Sequence, residues 1–395
     1  MMIDPAEAGR STYGRKVALV LQGGGALGSY QAGVYAALAA SPYQPDWVAG
    51  ISIGAINAAI IAGNAPSLRV ERLRAFWEEV TTPSGPWPAP WSPPWSLPHL
   101  FGQIERSAGA IGALMLGQPG FFTPRKVSEW FHTPKPVSFY DTSGLRSTLE
   151  RLVDFDRINA REMRFSVGAV NVRTGGFAYF DNHEIIIRPE HVMASGALPP
   201  GFPAVDIDGE FYWDGGLVSN TPLQQVLETE PRTSRLTFQV DLFQAYAPLP
   251  VTLDQVAERQ NDIRYASRTR VATQALEQMH NIRSSAHDLW LALPEELRAL
   301  PQAQFLDALG CVTEMDIVQL IYRPFESQGS MKDYEFGRST MVARWDQGRS
   351  DANTTLAAAP WLAPMPEATG SRVFDVMHDI YVAQMGDGRA PQSET

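Results

Sequence analysis

The sequence predicts an α/β fold in which a mostly parallel sheet is covered by helices. Two strand–turn–helix patterns follow one another within the first 62 residues, which is how such a sheet begins. Further short apolar runs recur later in the chain, each bounded by turn residues.

Residues 16–22, Lys-Val-Ala-Leu-Val-Leu-Gln, form the apolar run that a buried parallel strand needs. Three glycines follow, then a helical stretch over 27–40. Residues 46–51 read as a second strand, and 53–62, rich in Ala and Ile, as the helix after it. Residues 83–98 hold Trp87, Trp91 and Trp95 among seven prolines, which excludes helix and central strand. An apolar, Gly-rich stretch over 107–122 ends in Phe121-Phe122, so 80–140 reads as an insertion over one end of the sheet. That insertion is either a packed surface loop or a lipid-facing lid. Strands resume at 164–172 and 177–180, a Pro/Gly-rich turn occupies 194–203, and 236–242 is another buried strand. Beyond about 250, charged helical segments at 253–288 and 333–357 flank one apolar strand at 316–322. The expected organisation is a first domain over 14–245 and a mainly helical C-terminal extension, 246–395, packed on it.

Composition narrows the function classes. The 395 residues are 44% apolar and 19% charged, which is a globular and not a disordered balance. A net charge of −11 argues against sequence-independent nucleic-acid binding and against electrostatic docking on anionic lipid. The single cysteine, Cys311, excludes an internal disulfide and any multi-cysteine metal site, and is expected as a buried apolar thiol. The first apolar run, 17–21, lacks a cleavage-site pattern, and the weakly polar stretch 48–63 is too short to span a bilayer. The expectation is a soluble cytoplasmic protein of undetermined oligomeric state, with peripheral contact to membrane or lipid inclusions left open.

Three blocks carry chemistry. Gly50-Ile51-Ser52-Ile53-Gly54 is a G-x-S-x-G pentapeptide between a strand and a small-residue helix. Such a serine sits on a sharp turn, and Gly50 and Gly54 allow the neighbouring chain to approach it. The loop Gly23-Gly24-Gly25-Ala26-Leu27-Gly28 satisfies the dinucleotide fingerprint G-x-G-x-x-G. A nucleotide site also needs an acid at the far end of the second strand, where this chain has Ile51-Ser52. The same loop can instead aim backbone N–H groups at an oxyanion, with Gly23, Gly24, Gly25 and Ile53 as candidate donors around Ser52. For a base, Asp214 follows Phe211-Tyr212-Trp213 and precedes Gly215-Gly216, so an apolar strand presents a carboxylate at a tight turn. Partial burial raises such a carboxyl toward the pKa of a working base. None of the seven histidines lies in a motif that marks it, and His183 and His191 read as surface residues.

Together these residues resemble the patatin-like phospholipase family, whose signature is a glycine-rich oxyanion loop, a G-x-S-x-G serine and a D-G-G or D-G-A aspartate in that order. Gly28-Ser29-Tyr30-Gln31-Ala32-Gly33-Val34, the Ala194-Ser195-Gly196-Ala197-Leu198-Pro199 segment and Asn220-Thr221-Pro222 extend the match, which covers about 14–245. The resemblance implies a three-layer α/β/α fold and a Ser52–Asp214 dyad without histidine. It also implies hydrolysis of lipid or other apolar esters through an acyl-serine, with no metal and no cofactor. Ser195 is read as structural. Many members carry Arg or Lys where this chain has Leu27, a departure that bears on catalytic strength. The alternatives are a weak or inactive scaffold of the same fold, an α/β-hydrolase triad with His280, His287 or His378 as base, and a nucleotide-dependent oxidoreductase.

Overall fold

The computed structural model describes residues 15–81, 115–126, 138–324, 326–367 and 369–386. Strand β1 (Lys16–Leu21) leads through a 3-10 turn, Gly25–Gly28, into helix α1 (Ser29–Ala39). Strand β2 (Trp47–Gly50), α2 (Ile53–Ala62) and α3 (Arg69–Glu79) follow. A short hairpin pairs β3 (Thr123–Pro124) with β4 (Tyr140–Asp141), and α4 (Ser143–Leu152) and α5 (Phe155–Asn159) lead back to the sheet. Strands β5 (Arg164–Asn171) and β6 (Phe177–Asp181) precede α6 (Pro189–Ser195). Strands β7 (Val205–Ile207) and β8 (Glu210–Asp214), helix α7 (Leu223–Glu228) and strand β9 (Arg235–Asp241) come next. The remainder comprises α8 (Leu253–Ala292), α9 (Glu295–Arg298), α10 (Pro301–Leu309), β10 (Met315–Ile321), α11 (Arg338–Ala358), β11 (Ser371–Phe374) and α12 (Val376–Gly386).

One nine-stranded sheet runs β11-β10-β9-β1-β2-β5-β8-β7, with β6 also on β5. The pairs from β11 to β5 are parallel; those of β6, β7 and β8 are antiparallel. The strand period of two distributes side chains between the two faces. Val17, Leu19 and Leu21 of β1 join a core with α1, α2 and α3, while Ala18 and Val20 join a second with Leu223 and Val226 of α7 and Leu276 of α8. The sheet is therefore sandwiched in three layers, as expected of a mostly parallel α/β/α fold.

Residues after 245 behave differently from a helical appendage. Strands β10 and β11 extend the same sheet from β9, so a boundary near 245 does not divide it. Strand β11, Ser-Arg-Val-Phe, is short and half polar and gives little strand signal; Arg372 is held there by the buried Asp316 of β10. Helix α11 packs along α1, with the Tyr30 hydroxyl donating to Asp351 at 2.9 Å. Most of the expected 80–140 insertion, including Trp87, Trp91 and Trp95, lies outside the described residues. Cys311 is only partly buried and contacts the Thr313 hydroxyl at 2.9 Å, so it is not the enclosed apolar thiol expected. No helix among the described residues is long and apolar enough to cross a membrane.

Candidate active site

The sheet register explains how residues 162 positions apart in sequence, Ser52 and Asp214, meet. Strand β6 runs along one edge of β5 from Ser166 to Val170, overlapping the segments that β2 and β8 pair with. A strand has two edges, so β2 and β8 must share the other one, end to end and pointing at each other. Gly50 ends β2 opposite Val167, and Asp214 ends β8 opposite Ala169. The turn after β2 thus faces the turn after β8.

Ser52 occupies the sharp turn between β2 and α2, with φ 55° and ψ −123°. Such a backbone costs about 1–3 kcal/mol in a non-glycine residue, so the surroundings must enforce it. Tight packing does so: a Cβ on Gly50 would sit 2.2 Å from the Gly54 carbonyl oxygen, and one on Gly54 2.3 Å from that of Leu21. The Ser52 N–H donates to Ser195 Oγ at 3.0 Å, which gives Ser195 a holding role within the turn.

The Asp214 carboxyl is buried and accepts from the Gly216 N–H at 2.7 Å, and the Ser52 side chain acts on its ionisation. Burial pushes its pKa up to about 7, against the opposing pull of the Ser52 side chain and the Gly216 N–H. Gly215 opens the 3-10 turn Gly215–Leu217 that carries the chain away.

The glycine loop divides its labour. The Gly23 N–H is committed to the Asn220 carbonyl at 3.1 Å, and the Asn220 Nδ2 donates back to the Gly23 carbonyl at 3.0 Å. Gly23, expected among the anion donors, is therefore a clamp between the loop and the Asp214 turn. Among the described residues no hydrogen bond takes the N–H of Gly24, Gly25 or Ile53, and all three residues line the cavity beside Ser52. Ile53 is the first residue of α2, where backbone N–H groups lack helical partners. The Gly28 carbonyl accepts from Asn57, whose amide also reaches Gln31, so α2 braces the loop from below.

Gly25 requires its lack of a side chain twice over. Its φ is +55°, and a Cβ would lie 2.2 Å from the Asp333 carbonyl oxygen. Gly25→Ala should therefore displace the loop or the 332–334 segment and lower ester turnover by about 10²-fold or more, the scale of a lost oxyanion donor. Near-normal kcat/KM in a folded Gly25→Ala protein would show that the loop does not act there.

The Leu27 side chain is fully buried. A guanidinium nevertheless reaches this loop, because Arg344 of α11 donates to the Ala26 carbonyl at 3.2 Å and to the Glu335 and Lys332 carbonyls at 3.1 Å. Loop and C-terminal segment are thereby tied together.

Ser52, Ile53, Asp214, Asn220 and the three loop glycines open into one cavity of ≈ 280 Å³. Its wall is aromatic: Phe121, Phe122, Tyr140, Phe202, Phe243 and Phe336 line it. Ring contacts among Phe121, Phe122, Tyr140, Phe202 and Phe336 have centroids from 4.9 Å (Phe122–Tyr140) to 6.4 Å (Phe122–Phe336) apart. Phe121 and Phe122 come from the end of the expected insertion, and Phe336, Tyr334 and Asp333 from the C-terminal region. Sequence reading missed the last three and Asn220 as site residues. Only Asn220 had a signal, its place in the Asn220-Thr221-Pro222 block.

No histidine among the described residues lines the cavity. His280 Nε2 lies 2.7 Å from the Thr313 carbonyl oxygen, away from Ser52. His191, read as a surface residue, is buried, where it accepts from the Arg188 N–H at 2.9 Å in the cap of α6. Among the described residues no cluster of His, Cys, Asp and Glu could hold a metal ion.

A patatin-like phospholipase family model matches residues 19–227, and a patatin phospholipase model matches 263–368. Among solved structures, VipD from Legionella pneumophila aligns with 14% identity and a TM-score of 0.34, covering 88% of this chain and 68% of that one. Human GIVD cytosolic phospholipase A2 aligns with 12% identity and a TM-score of 0.34, covering 87% of this chain and 60% of that one. A search of curated proteins finds no significant match. With more than half of its length matched by the family model, the chain belongs to the patatin-like phospholipase family.

Proposed function

We propose that the protein is a serine acyl-ester hydrolase of lipase or phospholipase type that works through a Ser52–Asp214 dyad on lipid or other apolar esters. The observation that carries this reading is the buried Asp214 carboxylate sharing an aromatic cavity with a serine in a strained turn and with N–H groups that no hydrogen bond among the described residues takes.

The chemistry follows from those positions. Asp214 takes the hydroxyl proton as Ser52 Oγ bonds to the ester carbonyl carbon, and the carbonyl electron pair moves to oxygen. The N–H groups of Gly24, Gly25 and Ile53 receive that oxyanion. Collapse of the tetrahedral species breaks the bond to the alcohol oxygen, which leaves with the proton held by Asp214. Water then gives a proton to Asp214 and attacks the acyl-serine carbonyl. A second collapse frees the acid, and Ser52 Oγ takes back the proton. One ester and one water become one acid and one alcohol.

A triad with His280, His287 or His378 is not favoured, because none of them lines the cavity. A nucleotide role is not favoured because the Asp333 carbonyl covers the Gly25 side of the loop.

Turnover of p-nitrophenyl esters against pH tests the base. The carboxylate must be ionised to accept a proton, so kcat/KM should rise about tenfold per pH unit at low pH. It should level above the Asp214 pKa of about 7. A profile flat from pH 5 to 8 with an unchanged rate-limiting step would remove Asp214 as the base.

A further inference from the structure

The cavity holds a second acid that the dyad does not use. Asp333 lies on the 3-10 turn Lys332–Tyr334 and lines the same space as Ser52 and Asp214. Burial raises its pKa to about 6, with the nearby Lys332 and Arg344 charges pulling the other way. Those two cations stand behind the wall and are already committed. The Lys332 ammonium contacts Asp262 at 2.6 Å and Glu258 at 3.2 Å. Arg344 is spent on Gln328 and on three backbone carbonyls. Arg264 and Arg268 act electrostatically on Tyr265 without lining the cavity, and Arg268 lies 3.5 Å from the Leu217 carbonyl. Among the described residues two acidic residues, Asp214 and Asp333, and no Lys, Arg or His line the cavity.

A low-dielectric cavity magnifies the consequence of that imbalance, since charges there are poorly screened. The oxyanion donors can hold one developing oxygen charge, but no group in the described wall can neutralise a phosphate beside the ester. We propose that Asp333 is a specificity-determining residue, and that the site takes esters with uncharged head groups and turns away those with an anionic phosphate next to the scissile bond. This deepens, and rests on, the acyl-hydrolase reading of the same cavity.

Octanoyl glycerol and octanoyl glycerophosphate differ only in the phosphate, and both are used below their aggregation limits at alkaline pH. Wild type should prefer the uncharged ester in kcat/KM by roughly tenfold or more, the scale of like-charge juxtaposition in an interface. Asp333→Asn should narrow the gap by accelerating hydrolysis of octanoyl glycerophosphate, a gain that misfolding cannot produce. Asp333→Glu should keep the gap. On wild type alone, octyl phosphate should compete with p-nitrophenyl octanoate more weakly than octanol does. Comparable rates on the two glycerol esters, a gap unchanged in Asp333→Asn, or octyl phosphate competing as well as octanol would overturn the assignment. If wild type cleaves none of the esters, p-nitrophenyl octanoate included, the acyl-hydrolase reading itself fails and this assignment falls with it.

Discussion

Replacing Ser52 with Ala should lower turnover of apolar esters by about 10⁴- to 10⁶-fold, because nucleophile and base act as one unit whose loss is not shared out. The fold should survive. The side chain removed is a hydroxyl, while the hydrogen bond that holds the turn runs from the Ser52 N–H to Ser195 Oγ at 3.0 Å and remains. Alanine at φ 55° is no more strained than serine, so the far-ultraviolet circular dichroism and unfolding midpoint should stay close to wild type. Hydrolysis in purified Ser52→Ala at more than about one per cent of wild type would place the nucleophile elsewhere.

Asp214→Asn should combine a large loss of activity with a gain in stability. Asparagine keeps an oxygen for the Gly216 N–H but cannot accept the Ser52 proton, so turnover should fall about 10³- to 10⁴-fold. The stability effect follows from linkage. The carboxyl has a pKa of about 7 when folded against 3.8 as reference, so the folded state holds its proton more tightly than the unfolded chain does. Wild type therefore loses stability as pH rises from near 4 to 7, and the loss stays constant above that. The asparagine variant escapes the loss, by up to ~4 kcal/mol for a shift of this size. Urea midpoints should nearly coincide at pH 4 and separate at pH 8, with Asp214→Asn the more stable. A variant less stable than wild type at pH 8 would mean that the carboxylate contributes more through its hydrogen bonds than its burial costs.

Much of this architecture was legible in the chain because apolar runs bounded by turn residues are local properties. Residues 16–22, 53–62 and 236–242 are such runs, and the structure puts buried elements at Lys16–Leu21, Ile53–Ala62 and Arg235–Asp241. The Ser52 turn was visible because its two glycines fall in one pentapeptide, although Gly54 is held against Leu21 of β1 and only Gly50 against its own turn. The far wall of the cavity was not. Asp333, Tyr334 and Phe336 reach it through long-range anchors, Lys332 on Asp262 and Arg344 on the Ala26 carbonyl, between residues 70 and 318 positions apart. No local pattern encodes such a pairing. Arg344 also qualifies the reading of Leu27, since a cation reaches the glycine loop from α11 and not from the loop itself. Gly23 was misassigned for a related reason. Its N–H is claimed by Asn220, a partner 197 residues away that only the closed sheet brings near.

The proposed mechanism requires that Ser52 become covalently acylated under the control of Asp214. Its most direct test is to treat the intact protein with a fluorophosphonate, digest it and locate the adduct by mass spectrometry. The expected result is a single modified serine, Ser52, absent in Ser52→Ala and formed far more slowly in Asp214→Asn. An adduct on another serine with Ser52 untouched, or undiminished labelling of the Ser52→Ala protein, would contradict it.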